Sequence, residues 1–290
     1  MLTSPSSVSP GRETQVLVEL AAFRFLTQRH LEDVLFGGSR VSALSRQVIV
    51  RRVLTRLKAR GLIQETPRLT GAAPGAARLA YFLTAAGYRQ ARALDSGLPA
   101  GRPGIRSATL LGHGLMCADV ALAFRATARA RAGHELVEWE CDWAAAERLG
   151  STVVVPDAHL VYRAGRTTLD AFLEVDLGTE GSRVFARKIE RYLSLYRSGE
   201  WQAHLPVWPL VVTVTPNATR AALLRRASAT VLEAQYDRDE MKQVTAFAFG
   251  TIEDVLGASG PLGRIWRFAG GPDGAPLFEP EPDDDRPLAR

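Results

Sequence analysis

The chain has 290 residues, 46% hydrophobic and 23% charged, with a formal net charge of +5. That is enough apolar content for roughly two domains, while no stretch approaches the ~18 uninterrupted apolar residues of a membrane span. MLTSPSSVSPGRE has no apolar run after a basic start, so a leader is not expected, and two cysteines are too few for a disulfide scaffold. A cytoplasmic protein is the expectation.

Residues 1–11 are rich in Ser and Pro and are expected to be disordered. Apolar spacing then predicts a helix from Glu13 to Leu26, and Thr27 caps a short second helix that runs through Phe36 and stops at Gly37-Gly38. A third helix is expected over Arg46 to Arg60, capped by Ser45, with Ile49, Val50, Val53, Leu54 and Leu57 on its apolar stripe. Its other face carries Arg46, Gln47, Arg51, Arg52, Thr55 and Lys58. Two short strands, LIQETP and LAYFLT, flank a Gly/Pro loop with Arg68 and Arg78 at its ends, and Thr84 caps a closing helix.

Three helices, a hairpin and a closing helix form the order of a winged helix-turn-helix over residues 12–95. The third helix would enter the major groove of double-stranded DNA and the loop would lie along the backbone. Arg46, Gln47, Arg51, Arg52, Thr55, Lys58, Arg68 and Arg78 are the candidate DNA-binding residues. Charge agrees: residues 1–104 hold 15 Lys/Arg and 6 Asp/Glu, whereas residues 105–290 hold 21 and 25. A basic front joined to a mildly acidic back fits nucleic-acid binding by the front.

Residues 96–107 form a Gly/Pro-rich linker. Beyond it, the pattern predicts a long helix from Ala108, strands over 135–143, 151–163 and 167–178, a helix over 182–198, a strand over 208–215, another helix and a strand over 244–250. This α/β domain is expected to span 108–270, followed by an acidic, Pro-rich tail over 271–290. Strand alternation puts Leu173, Val175 and Leu177 on one face and Phe172, Glu174 and Asp176 on the other. If the strands pair, Asp157 joins Glu174 and Asp176 as an oxygen-ligand set for Mg²⁺ or Mn²⁺.

Lys188 adds weight to this cluster because the chain has only three lysines, Lys58, Lys188 and Lys242, among 36 basic residues. A compact ammonium kept beside carboxylates fits a site that needs a point charge. His113, Glu140 and Tyr192 are candidate supporting residues. His113 and Cys117 stand four apart on the long helix, but without further ligands they do not make a zinc set. No Walker loop or dinucleotide fingerprint is present, so no nucleotide cofactor is expected.

LTQRHL, RLKARGLI, YFLTAAG, LLGHGLMCADVALA, VPDA, FLEVDLGTE and RKIERYLSLY occur in that order. With these marks the chain resembles the bacterial replication-relaxation proteins of plasmids and other mobile elements over about residues 12–250. The resemblance implies a winged helix followed by a PD-(D/E)xK nuclease-like domain. It makes Asp157 and Glu174 the acidic motif positions and a metal-dependent DNA endonuclease the implied activity. Asp176 stands where the motif has its lysine, so Lys188 from the next helix would replace it as the third catalytic residue. The other reading is a non-catalytic replication or transcription regulator whose nuclease-like domain serves homodimerisation or partner docking.

Overall fold

A computed structural model describes residues 11–66, 79–98, 108–149, 153–237 and 247–279. The fold is mixed α/β, with two sheets in two compact units, Met1–Arg102 and Pro103–Arg290. The expected disorder of residues 1–11 falls almost wholly outside the described residues, as do most of the linker and both Arg68 and Arg78.

The first unit is built on α1 (Arg12–Phe23), α2 (Gln28–Phe36) and α3 (Ala43–Ala59). Strands β1 (Leu26–Thr27), β2 (Ile63–Glu65) and β3 (Ala80–Leu83) form an antiparallel sheet in the order β1-β3-β2, and α4 (Ala85–Leu94) follows. The first helix stops three residues short of its expected end, because Leu26 and Thr27 pair with Tyr81 and Ala80. Thr27 is both the end of that strand and the cap of α2. Its hydroxyl accepts from the His30 N–H at 3.2 Å while its own N–H donates to His30 Nδ1 at 3.4 Å. Histidine here plays the part of the usual Glu in a capping box.

α3 begins three residues earlier than expected. Ser42, not Ser45, is the cap, and its hydroxyl accepts from the Ser45 N–H at 3.2 Å. The buried stripe is Val50, Val53, Leu54 and Leu57; Val16, Leu17 and Leu20 of α1 and Leu31 of α2 are buried as well. Gly87 in α4 lies so close to the chain before β2 that a Cβ there would stand 2.0 Å from the Leu62 carbonyl oxygen.

The second unit is one six-stranded sheet in the order β4-β5-β6-β7-β8-β9. Its strands are β4 (His134–Cys141), β5 (Ala158–Ala164), β6 (Thr167–Val175), β7 (Leu210–Thr215), β8 (Phe247–Thr251) and β9 (Arg267–Phe268). β4, β5 and β6 are antiparallel neighbours, β6-β7-β8 are parallel, and β9 returns antiparallel. One face of the sheet packs Leu173, Val175, Val212 and Val214 with Cys117, Val120 and Phe124 of α5 (Ala108–Ala130). The other packs Phe172, Val211 and Phe249 with α7 (Ser182–Ser198) and α8 (Ala218–Gln235). The alternation expected for β6 is therefore present, with Glu174 on the α7 face.

Four differences from the sequence-based expectation have physical causes. Helix α6 (Asp142–Leu149) occupies part of what was expected to be strand and its connection. Its segment DWAAAERL is rich in good helix formers, and Ala144, Ala145 and Leu149 are buried. Strand β5 begins only at Ala158, because Pro156 has no N–H to give a ladder. Residues 271–279, expected in the acidic tail, are packed: Ala275 and Trp266 exchange two backbone hydrogen bonds of 3.0 Å, and Leu277 is buried. A last short helix, α9 (Ile252–Leu256), also went unpredicted; Thr251 caps it by accepting from the Asp254 N–H.

Candidate functional site

Glu174 lies one residue from the end of β6, beside the parallel partner Thr213, and is 2% exposed. Lys188 and Tyr192 are four apart on α7, so both reach the same point of the sheet. Lys188 Nζ forms an ion pair with Glu174 Oε2, and the Tyr192 hydroxyl donates to Oε1. Asp157 sits just before β5. Its N–H donates to the Leu173 carbonyl at 3.0 Å, and its Oδ2 accepts from the Val175 N–H at 2.7 Å. The carboxylate thus stands in for a strand carbonyl where Pro156 has ended the ladder. From α5, His113 Nδ1 lies 3.7 Å from Asp157 Oδ2, an electrostatic contact rather than a hydrogen bond.

Electrostatics tie these groups together. Burial pushes the Glu174 carboxyl up to about 7, with Lys188 opposing and Asp157 reinforcing the rise. Burial works against the Lys188 ammonium too, but Glu174 and Asp157 outweigh it and raise its pKa. For Asp157 burial is again the largest influence, yet His113, Lys188 and the Val175 N–H together hold the carboxyl below its ordinary value. The contact with Asp157 raises the His113 imidazole against its burial. Burial and Glu174 hold the Tyr192 phenol far above its ordinary value.

Asp176 lines the same small cleft but is turned to another partner. It lies one residue past β6, where its N–H donates to the Val214 carbonyl at 2.9 Å. Arg220, in the first turn of α8, pairs with its carboxylate through Nε and Nη2 and also donates to the Glu180 carbonyl at 2.6 Å. The expected convergence of Asp157, Glu174 and Asp176 on one cation is not present: among the described residues no group of three or more His, Cys, Asp or Glu side chains is arranged to hold a metal ion. The carboxylates have the oxygen chemistry of a Mg²⁺ or Mn²⁺ site, but in this arrangement protein groups occupy most of their oxygens. Lys188 and Tyr192 take both oxygens of Glu174, Val175 and His113 face Asp157 Oδ2, and Arg220 holds Asp176.

Glu140 belongs to a second polar group. It accepts from Arg148 of α6 at 2.7 and 2.9 Å and lies 3.5 Å from His159 Nδ1. His159 is 1% exposed and its Nε2 is 2.7 Å from Asp170 Oδ1. Burial disfavours the imidazolium, but Asp170 and Glu140 outweigh it and lift the pKa to about 9. This buried histidine between two carboxylates was not singled out in the sequence, although His159 of β5 follows Asp157 and Asp170 precedes Glu174 in β6. The signal was the alternation itself, which puts Glu140, His159, Phe172 and Glu174 on one face.

In the first unit, the solvent side of α3 presents Gln47, Arg51, Arg52 and Thr55, all exposed. Arg51 and Arg52 have no carboxylate partner among the described residues. Arg46 is half-buried, and Lys58 is tied to Glu65 at 2.6 Å. Leu44 and Val48 lie on the same side; Leu44 was missed because a helix started at Arg46 does not include it, and Val48 because only the polar residues of that face were singled out.

Fold and site define a mixed α/β protein of two units, one with an open cationic helix face and one with a buried carboxylate–lysine cluster. The model of the replication-relaxation family matches residues 17–211, from within α1 to the start of β7, and the chain belongs to that family. No curated protein and no solved structure matches it.

Proposed function

We propose that this is a cytoplasmic protein that binds double-stranded DNA in the replication or mobilisation of a plasmid or other mobile element, with the first unit acting as a winged helix-turn-helix. The observation that carries this reading is the exposed face of α3, where Arg51 and Arg52 stand clear of carboxylates, among the described residues, beside Gln47. Cations held off carboxylates can neutralise phosphates, and a Gln can reach an adenine edge. Among the described residues no helix is long and apolar enough to cross a membrane. The test is binding of the full-length protein to a random-sequence duplex pool. Binding that weakens steeply as salt rises supports the reading. No retention of duplex at roughly 50–100 mM salt, where phosphate neutralisation is strong, contradicts it.

A second reading concerns the other unit. The pairing of Lys188 with Glu174, beside Asp157, supports a PD-(D/E)xK-type nuclease that acts on the bound DNA with Mg²⁺ or Mn²⁺. It requires the cation to displace protein donors that now hold the carboxylates. Nicking of supercoiled plasmid by the purified protein with Mn²⁺, abolished in Asp157→Ala, would establish it. Equal nicking by Asp157→Ala would exclude this cluster as its source.

A further inference from the structure

The outward stripe of α3 is Leu44, Gln47, Val48, Arg51, Arg52 and Thr55, at the 3–4 spacing of one helical face. It is not uniformly polar. Leu44 is 72% exposed, the highest value among the exposed large hydrophobic residues described, and Val48, one turn on, is 38% exposed. Single exposed apolar residues are ordinary, but these two are neighbours at the N-terminal end of the helix, and the arginines follow them. The Ser42 cap fixes that end, with the Ser42 and Ser45 hydroxyls 2.9 Å apart. The surface that complements this stripe must be anionic along its flank and carry small apolar points in its floor. The major groove of DNA has both: phosphates along its walls and the C5-methyl group of thymine on its floor. A reading helix brings its N-terminal residues to the bases.

We infer that Leu44 and Val48 are specificity-determining residues that read thymine methyl groups in the major groove. The inference rests on the DNA-binding reading of the first unit. It assigns the protein a preference for sites with thymine under the start of α3, with Arg51 and Arg52 supplying affinity that is indifferent to the methyl. Both apolar side chains are exposed, so their replacement leaves the core intact.

The experiment uses the full-length protein and a duplex selected from a random-sequence pool, made once with thymine and once with deoxyuridine at each thymine position in turn. Removing one methyl that the protein touches is expected to weaken binding about fourfold, from the transfer value of a buried methylene. Leu44→Ala and Val48→Ala should bind the thymine duplex more weakly and no longer distinguish it from the deoxyuridine duplex. Arg51→Ala/Arg52→Ala should weaken both duplexes equally and keep the discrimination. Equal binding of both duplexes by the wild type, with affinity still reduced in the arginine variant, overturns the methyl inference and leaves DNA binding standing. A folded protein that retains no duplex overturns both. Unchanged discrimination in Leu44→Ala/Val48→Ala also overturns the inference.

Discussion

The two units handle charge in opposite ways. On α3, Arg51 and Arg52 are exposed and without a carboxylate partner among the described residues. Around Glu174, three carboxylates have partners: Lys188 and Tyr192 for Glu174, Val175 N–H and His113 for Asp157, Arg220 for Asp176. The contrast teaches where each unit can act. Exposed cations off any carboxylate contribute little to the fold and remain available to an anionic partner. Buried, mutually engaged charges hold one another in place, and removing one leaves its partner without compensation.

The largest effect should come from the second unit. Lys188→Met leaves the Glu174 carboxylate buried beside Asp157 with only Tyr192 to meet it. A destabilisation of about 3 kcal/mol is expected at pH 8, the scale of breaking a buried pair, read from urea unfolding. Little change would mean that the pair is solvated and that the contrast between the units is false. The pH response has a definite sign. Burial raises the folded-state pKa of Glu174 from 4.5 to about 7. The stability this group contributes is therefore full below its unfolded value and is lost as pH rises to about 7. Glu174→Gln should flatten the stability profile between pH 4.5 and 7. A Gln variant with the wild-type slope would show that another group sets it.

A smaller effect is expected at His159. Its pKa is lifted from 6.5 to about 9 between Asp170 and Glu140, so its contribution is full below pH 6.5 and lost as pH rises through 9. His159→Gln should cost about 2 kcal/mol at pH 6, within the range for removing a charge-assisted hydrogen bond, and abolish the alkaline part of the melting-temperature decline. Retention of that decline in the variant would assign it to another group. The smallest effect is that of Lys58→Ala, which removes an exposed ion pair with Glu65. Its stability should change by less than about 1 kcal/mol. A larger change would place part of the first unit's stability in its surface charges.

What could be read from the sequence follows the range of the interactions. Glu174 and Lys188 were legible because strand alternation and a helix 14 residues away place them by local rules. The pairing of Asp176 with Arg220 was not, since the two lie 44 residues apart and nothing local orients one to the other. Asp157 was found for its chemistry, but its part in continuing the ladder through Val175 depends on how β5 meets β6. In the first unit, Ser45 was expected to cap α3, whereas the helix starts three residues earlier and Ser42 caps it. That shift adds Leu44 to the exposed stripe of the helix. Helix α6 was hidden because the alternation of β4 ran straight into it.

If the open face of α3 is where this protein meets double-stranded DNA, its two exposed arginines must set the salt response of binding. The decisive measurement is the salt dependence of duplex binding by the full-length wild type and by Arg51→Ala/Arg52→Ala, with thermal unfolding of both recorded alongside. Each phosphate left without its cation should reduce the slope of log affinity against log salt by about 0.9. The double variant should therefore show a slope lower by about 1.8, weaker binding, and an unchanged melting temperature. The same slope and affinity in both proteins would contradict DNA binding through this face.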